Sequence, residues 1–309
     1  MEKYITSQHR YYTLDFYLKE RFGEKVAKVA LNGNFSCPNR DGKISNKGCI
    51  FCSEKGSGDF AGDPKEDLLT QFNKIKEMTK GKWKNPKYIA YFQANTNTYG
   101  SMEKLHKLYD EAITLTDDVV CLSIATRPDC INEEICSYLG NLNKINPVRV
   151  ELGLQTIHQE TADYLNRGYT LDVFENAVNL LRKQNIEVIV HVINGLPNET
   201  NQMMLDTIKY LNSLDIQGIK IHSLFVLKNT ILGYLYEKEP FKIMTLEEYS
   251  SLVCEELAIL RKDIVVHRIM GDAPRDLLIE PKWSIKKLVV MNEIDKLMKE
   301  KNYFQGCKL

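Results

Sequence analysis

Three cysteines fall within one short stretch, Cys-Pro-Asn-Arg-Asp-Gly-Lys-Ile-Ser-Asn-Lys-Gly-Cys-Ile-Phe-Cys, at Cys37, Cys49 and Cys52. Thiolates are soft metal ligands. The Cys-X-X-Cys pair can chelate one ion or two corners of an iron–sulfur cluster, and the eleven-residue loop before it returns the third sulfur. No fourth ligand follows in the same stretch. Structural zinc is normally closed by four protein ligands. Either a remote histidine, His9 or His106, completes a zinc knuckle, or the cysteines hold a four-iron, four-sulfur cluster with one iron open. Phe51, just before the last cysteine, can shield such a cluster. Further along, Arg127, Asp129, His191, Lys220 and His222 stand in or beside apolar runs, where a buried charge must be paired or employed. Lys220 and His222 share one face of an apolar run. His191, in Val-Ile-Val-His-Val-Ile, reads equally as a satisfied core histidine.

Positioning these groups is the task of alternating short apolar runs and longer amphipathic stretches, the pattern of βα units around a parallel sheet. Strands are expected at Val26–Leu31, Tyr88–Gln93, Val119–Ala125, Val148–Leu154, Val188–Ile193 and Ile219–Phe225. Helices are expected at Glu66–Lys80, Met102–Leu115, Asn132–Gly140, Leu171–Gln184 and Glu199–Leu214. Six such units give an α/β fold, a partial (β/α)6 TIM-like barrel over residues 25–225. Residues 1–24 form an N-terminal helical extension across its outside or bottom. A C-terminal α/β cap follows over residues 226–309, with a helix at Thr245–Leu260, a strand at Ile264–Ile269 and a helix at Lys282–Lys299. Parallel-barrel sites lie at strand carboxyl ends. Those ends are polar or glycine-rich here: Asn32-Gly33-Asn34, Gln93-Ala94-Asn95-Thr96-Asn97-Thr98, Thr126-Arg127-Pro128-Asp129, Gln155-Thr156 and Asn194-Gly195-Leu196-Pro197.

The 309 residues are 43% apolar, enough for a sizeable core without disulfide staples. Lys plus Arg equals Asp plus Glu at 41 each, which excludes a chain coated in positive charge but leaves room for a local patch. Lys74, Lys76, Lys80, Lys82, Lys84 and Lys87 make such a run around Trp83; a run of this kind contacts phosphates or is simply a solvated face. The start carries no apolar signal segment and no window approaches a membrane span, so a cytoplasmic protein is expected. Cys121, Cys130, Cys136, Cys254 and Cys307 are then ordinary thiols.

Together the cysteine loop, Gly-Ser-Gly-Asp-Phe at 56–60, Tyr-Phe-Gln-Ala-Asn-Thr-Asn-Thr-Tyr at 91–99 and Ala-Thr-Arg-Pro-Asp at 125–129 resemble the radical S-adenosylmethionine superfamily. The likeness continues through Glu-Leu-Gly-Leu-Gln at 151–155, Asn-Arg-Gly at 166–168, Gly-Leu-Pro-Asn-Glu-Thr at 195–200 and Gly-Asp-Ala-Pro at 271–274. Within that superfamily it is to the YhcC/MnmL-type branch, related to the radical domain of the elongator catalytic subunit. Eleven residues between the first two cysteines, where the superfamily commonly has three, are a mark of that branch. No acetyltransferase domain is expected.

The resemblance implies that Cys37, Cys49 and Cys52 hold a 4Fe-4S cluster whose fourth iron is chelated by S-adenosyl-L-methionine, with electrons from a donor such as flavodoxin or ferredoxin. It places the cofactor near Phe51, Gln93, Ala94 and Asn95, with amides replacing the usual glycine-rich turn. Glu151 and Gln155 point toward the sulfonium or ribose, Arg167 toward the cofactor carboxylate, and Gly195 toward the adenine. It also implies a tRNA substrate, the wobble uridine, whose 5-carboxymethylaminomethyl group becomes 5-aminomethyl through oxidation beside the nitrogen and hydrolysis of the imine. Arg127 or Lys220 would then hold the substrate carboxylate. The rival expectations are a radical enzyme acting on a small metabolite or a protein, and a zinc-bound nucleic-acid-binding module.

Overall fold

Runs of β-branched and aromatic residues alternate with capped amphipathic helices, and the chain winds them into one curled parallel sheet covered by helices. The computed structural model describes residues 2–6, 9–56, 58–78, 80–83 and 86–309; Ser57 of the Gly-Ser-Gly-Asp-Phe motif, Thr79 and Lys84 of the basic run lie outside them. In chain order the elements are α1 (Leu14–Phe22), β1 (Val26–Leu31), α2 (Leu68–Met78), β2 (Lys87–Phe92), α3 (Met102–Ile113), β3 (Val119–Thr126) and α4 (Glu133–Leu142). There follow β4 (Val148–Gln155), α5 (Gln159–Tyr164), α6 (Leu171–Lys183), β5 (Glu187–Asn194), α7 (Asn201–Leu211) and β6 (Gly218–Ser223). The C-terminal segment adds β7 (Val226–Leu227), α8 (Ile231–Lys238), α9 (Leu246–Ile259), β8 (Val265–Arg268), β9 (Leu278–Glu280) and α10 (Lys287–Glu300).

Seven strands make the main sheet, in the order β1-β2-β3-β4-β5-β6-β8, every neighbouring pair parallel. This is the expected partial barrel with one strand more. β8, from the C-terminal segment, pairs with β6 through Gly218–Val265 and Ile219–Val266. β7 and β9 form a separate antiparallel ribbon. The short α5, α8 and β9 span too few residues for periodicity to register. The last expected helix begins later than its sequence pattern, because Lys282–Ile285 takes a 3₁₀ turn first.

Local chemistry sets the helix starts. Asn132 accepts from the backbone N–H of Ile135 at 2.9 Å, and Thr245 with Glu248 completes a reciprocal capping box at α9. Gly23, in the left-handed region, ends α1. The helices bury Phe72, Tyr109, Leu139, Phe174, Leu181, Tyr249 and Leu257 against the sheet. That packing fixes the strands whose inward residues make the site.

The sheet does not close on itself: β1 and β8 are its two edges. α1 lies across the gap, whereas the N-terminal extension was expected across the barrel's outside or bottom. Thr13 bridges Val266, whose N–H donates to the carbonyl of Tyr12 at 2.7 Å. At the strands' amino ends, Tyr17 donates to Glu187 at 2.6 Å and Arg21 bonds the same carboxylate. The fully buried Arg149 places its Nε 2.8 Å from Glu187 and its guanidinium over the Tyr17 ring. A buried ion pair thus fastens α1 to β4 and β5 below the cavity.

Candidate active site

One cavity of about 860 Å³ occupies the barrel from the strand carboxyl ends down to α1. Cys37, Cys49, Phe51 and Cys52 line it, together with Gln93, Asn95, Arg127, Glu151, Gln155, Arg167, His191, Lys220 and His222. Ala94, Asp129 and Gly195 are absent from that lining. Ala94 packs beneath the cysteine loop, Asp129 faces Arg127, and Gly195 stands against Met244, whose Cγ and Sδ a side chain there would meet at 3.3 Å. His9 and His106, which a zinc knuckle would need, stand elsewhere. His9 lies 3.2 Å from Asp295, and the His106 and Tyr138 ring centroids are 4.0 Å apart.

The cysteine loop after β1 is held by backbone and amide contacts from distant segments. Asn39 donates to Cys49 Sγ at 3.5 Å and to the carbonyl of Asn166 at 2.6 Å. Asn166, in the left-handed region, donates to the carbonyl of Gly48 at 2.7 Å. Ile50 N–H donates to Leu165. The Asn-Arg-Gly motif therefore buttresses the loop. On the other side Asn95 N–H donates to Gly56, where a Cβ would fall 1.9 Å from Asn95 Oδ1, and a Cβ on Gly58 would fall 2.4 Å from that of Ala94. Only glycines let these two motifs touch. A hydrogen bond from Cys52 brings the Cys49 thiol down to about 7, with Arg127, Asn39 and Arg167 adding to it against the opposing effect of burial.

At the end of β4 the register shifts between Gly153 and Gln155, and Gln155 takes φ 64°. A non-glycine residue held there is strained and over-determined by its surroundings. Arg167 supplies much of that restraint. In place of a carboxylate it meets backbone, donating to Leu154 and Thr156 at 2.7 Å each and to Tyr169. Arg127 makes a bidentate pair with Asp129, at 2.9 and 2.8 Å, and its guanidinium lies 4.9 Å from the Tyr169 ring centroid. Both arginines shape the site and lend it positive charge.

Deeper in the barrel Glu151 is fully buried and collects five donors. Tyr91 donates at 2.9 Å, Ser123 at 3.1 Å and Lys28 at 3.2 Å; His191 Nε2 lies 2.9 Å away, and Lys220 bonds the same carboxylate. Burial alone would raise its pKa, yet Lys220, then Lys28 and His191, hold it well below the carboxylate range. Burial, helped by Lys220, brings His191 down to about 4, so the ring is neutral. Its neighbour His222 stacks on it at 5.2 Å and is likewise held low by burial. Lys28 and Tyr91 were not singled out from sequence. The signal was a lone lysine inside Val-Ala-Lys-Val-Ala-Leu, which no solvated face explains.

The basic run sits at the other end of the barrel. α2 ends at Met78 and β2 begins at Lys87, so Lys76, Lys80, Lys82 and Lys87 of the described residues lie toward the strands' amino ends, opposite the cysteine loop. Lys74 pairs with Glu66, Lys76 and Lys87 with Asp118, and Lys80 with Glu77. Lysines so compensated make a solvated face. Among the described residues no helix is long and apolar enough to cross a membrane.

A curled parallel sheet with a three-cysteine loop after its first strand defines a class, and sequence comparison agrees with it. The radical SAM superfamily profile matches residues 42–211, and the radical SAM C-terminal domain profile matches residues 216–300. The chain belongs to the radical SAM superfamily. It is 48% identical to the uncharacterized protein YtqA of Bacillus subtilis over 98% of this chain and 94% of that one, and 32% identical to YhcC of Escherichia coli over 92% and 90%. It is also 28% identical to the tRNA uridine(34) acetyltransferase of Methanocaldococcus jannaschii, over 58% of this chain and 33% of that protein. Among solved structures, Elp3 of Methanocaldococcus infernus shares the fold with a TM-score of 0.67 at 20% identity, over 91% of this chain and 64% of that one.

Proposed function

We propose that this radical SAM enzyme acts on the wobble uridine of tRNA, converting its 5-carboxymethylaminomethyl group to 5-aminomethyl. The observation that carries the reading is a single cavity lined both by Cys37, Cys49 and Cys52 and by a layer of cationic and neutral polar side chains below them. Cys37, Cys49 and Cys52 would hold a 4Fe-4S cluster, and the lowered Cys49 thiol suits metal ligation. Bound there with S-adenosylmethionine, the cluster supplies reductive cleavage of the sulfonium and so an abstraction of one hydrogen atom from the substrate.

The chain's own residues orient and enclose. Phe51 covers the cysteine loop, while Gln93, Asn95 and the strained Gln155 present amides at the strand ends where the methionine and ribose groups would lie. Asp129 acts by fixing Arg127, and Ala94 by packing under the loop that carries Cys52. Gly195 acts as a turn whose backbone positions Leu196. Glu151 holds His191 and Lys220 toward the cavity. On the substrate, the methylene between nitrogen and carboxylate would give one hydrogen atom to the adenosyl group released from the cofactor, one electron to the oxidised form of the flavodoxin- or ferredoxin-type partner and, from the neighbouring nitrogen, one proton to water, leaving a C=N bond. Water would then hydrolyse that C=N bond, leaving the aminomethyl base and a two-carbon aldehyde acid.

Two further observations support a nucleic-acid substrate. The relative at 28% identity is named for tRNA uridine(34), although the match spans only a third of that protein. Arg40, Arg275 and Lys287 line the same cavity as the exposed Phe60 and Ile285, residue types that a phosphate and a splayed base would meet. Such a substrate implies the cytoplasm and a reducing partner such as flavodoxin or ferredoxin.

The test is anaerobic reconstitution with iron and sulfide, then reduction with S-adenosylmethionine and tRNA bearing the carboxymethylaminomethyl base. The expected products are 5′-deoxyadenosine and aminomethyluridine in equal amounts. 5′-Deoxyadenosine with an unchanged nucleoside profile would remove the tRNA reading, and none at all would remove the radical reading.

A further inference from the structure

The wall around β1, β6 and β8, with β4, α10 and the loop after β8, carries more basic side chains than carboxylates. Lys28 and Lys220 share Glu151. Arg268 and Lys287 share Asp272, at 3.2 and 2.8 Å. All six side chains line the cavity, so four basic groups face it with two carboxylates among them, and burial, against the pull of Glu151, holds Lys220 well below the usual lysine range. The donors are not exhausted. An ammonium offers three, of which Lys28 spends one on Glu151, and Lys220 spends one there and one on Tyr91 at 3.3 Å. Arg268 spends one nitrogen of its fork on Asp272. Removing such charges from water without an anion to face them is costly.

A second observation is independent of charge. His222 Nε2 and His267 Nδ1 are buried without a hydrogen-bond partner, and both rings line the same wall. Native structures rarely leave buried polar atoms unpaired unless something else meets them. Gly271 lies so close to His222 that a Cβ there would sit 3.0 Å from Nδ1, so the ring is held from that side.

Depth selects the kind of anion. Lys28, His191 and Lys220 each stand three residues before the end of their strand, roughly 10 Å below the rim at the usual rise per residue. A backbone phosphate, continuous with the rest of a polynucleotide, stays at the rim. The tip of a base substituent reaches further.

We propose that Lys28, Lys220 and Arg268, with His222 and His267, form a subsite for a carboxylate at the end of the substrate's side arm. This rests on the function proposed above, in which the carboxymethyl group is the part removed. The subsite anchors the group that leaves and so places the adjacent methylene below the cysteine loop.

The test uses the full chain and three probes: N-acetylglycine, its uncharged amide N-acetylglycinamide, and inorganic phosphate, with binding read from the histidine ring resonances. N-acetylglycine is expected to shift the His222 and His267 signals and to bind at least tenfold more tightly than the amide. Lys28→Gln and Arg268→Gln are each expected to weaken it about tenfold. If Lys28→Gln does not fold, Arg268→Gln, whose side chain is one-third exposed, carries the comparison. Equal binding of acid and amide, or unchanged binding in the folded variants, overturns the subsite. Tenfold preference for phosphate overturns its assignment to a carboxylate. Selective binding of N-acetylglycine that depends on Lys28 and Arg268, alongside an enzyme that leaves the tRNA unprocessed, upholds the subsite while the tRNA reading fails.

Discussion

The two ends of the cavity are built by opposite means. Around the cysteines, the loop is set by geometry: left-handed Asn95, Gln155 and Asn166, glycines that let loops touch, and amides bonded to backbone. Around Glu151, position is set by charge, with donors from five strands meeting one buried carboxylate. The first arrangement leaves few ionised side chains near the sulfurs apart from the arginines, so the thiolates are the ligands on offer. The second gathers ionic groups where a polar substrate arm would end. A loop that must hold a fixed template is best made of contacts that cannot titrate, while a pocket that must recognise charge is best made of groups that carry it.

Breaking the first end should produce the largest effect. Replacing Cys49 by alanine should abolish cluster incorporation and lower 5′-deoxyadenosine formation about a thousandfold or more, a barrier change of about 4 kcal/mol. Iron content and product yield check it, and an unchanged iron content would detach the loop from metal binding. At the other end, Glu151→Ala strands Lys28 and Lys220 and should cost about 3–5 kcal/mol of stability in urea unfolding. A loss below 1 kcal/mol there would mean that charge does not organise that wall.

pH separates the two ends further. His191 stays neutral in the folded chain down to about 4, whereas an unfolded histidine takes a proton near 6.5. Stability should therefore fall as pH drops through that window, with about 3 kcal/mol of the fall due to His191; His222 and His267, also held low by burial, add to it, so His191→Gln should show a smaller fall by about that amount. Unfolding curves at pH 7 and pH 4.5 decide it; equal losses in the two proteins would assign the whole fall to the other histidines. Asn166→Ala puts a residue less suited to the left-handed region beside the cysteine loop and removes the bond to Gly48. It should cost about 1–2 kcal/mol and hasten iron loss from the reconstituted protein. The smallest effect belongs to the basic run. Lys74→Ser with Lys80→Ser should change stability by less than about 0.5 kcal/mol and tRNA affinity by less than about twofold. A tenfold loss of tRNA binding would move the nucleic-acid face to the amino end of the barrel.

The same division governs what the sequence could reveal. The cysteine end was readable because its constraints are local, with motifs in which residue type and neighbours fix the backbone. β1 runs from Val26 to Leu31 as expected, and the other barrel strands begin and end close to their expected limits. The charged layer was only half readable. His191 and Lys220 were visible as a ring and a charge in apolar runs, and Glu151 was expected toward the cofactor, but their meeting with Lys28 and Tyr91 depends on strand order and register across nearly two hundred residues. Arg167 shows a different limit, since the same guanidinium serves a carboxylate or three backbone carbonyls and its neighbours in sequence do not say which. The seventh strand was legible as a strand but not as part of the barrel, because a short apolar run carries no record of its partner. The placing of the lysine run follows from βα order alone: a helix that ends just before a strand begins ends beside that strand's base.

A complete ring of strands has a girth fixed by strand number and stagger, but an incomplete one has a seam. Here the seam between β1 and β8 is spanned by α1, whose Leu14 and Leu18 reach the cavity itself. The bore of this enzyme is thus gauged by a wedge. Bulkier or smaller side chains at those two positions would widen or narrow the chamber with no strand pairing altered, giving the fold a means of adjusting to substrates of different size from outside its catalytic motifs.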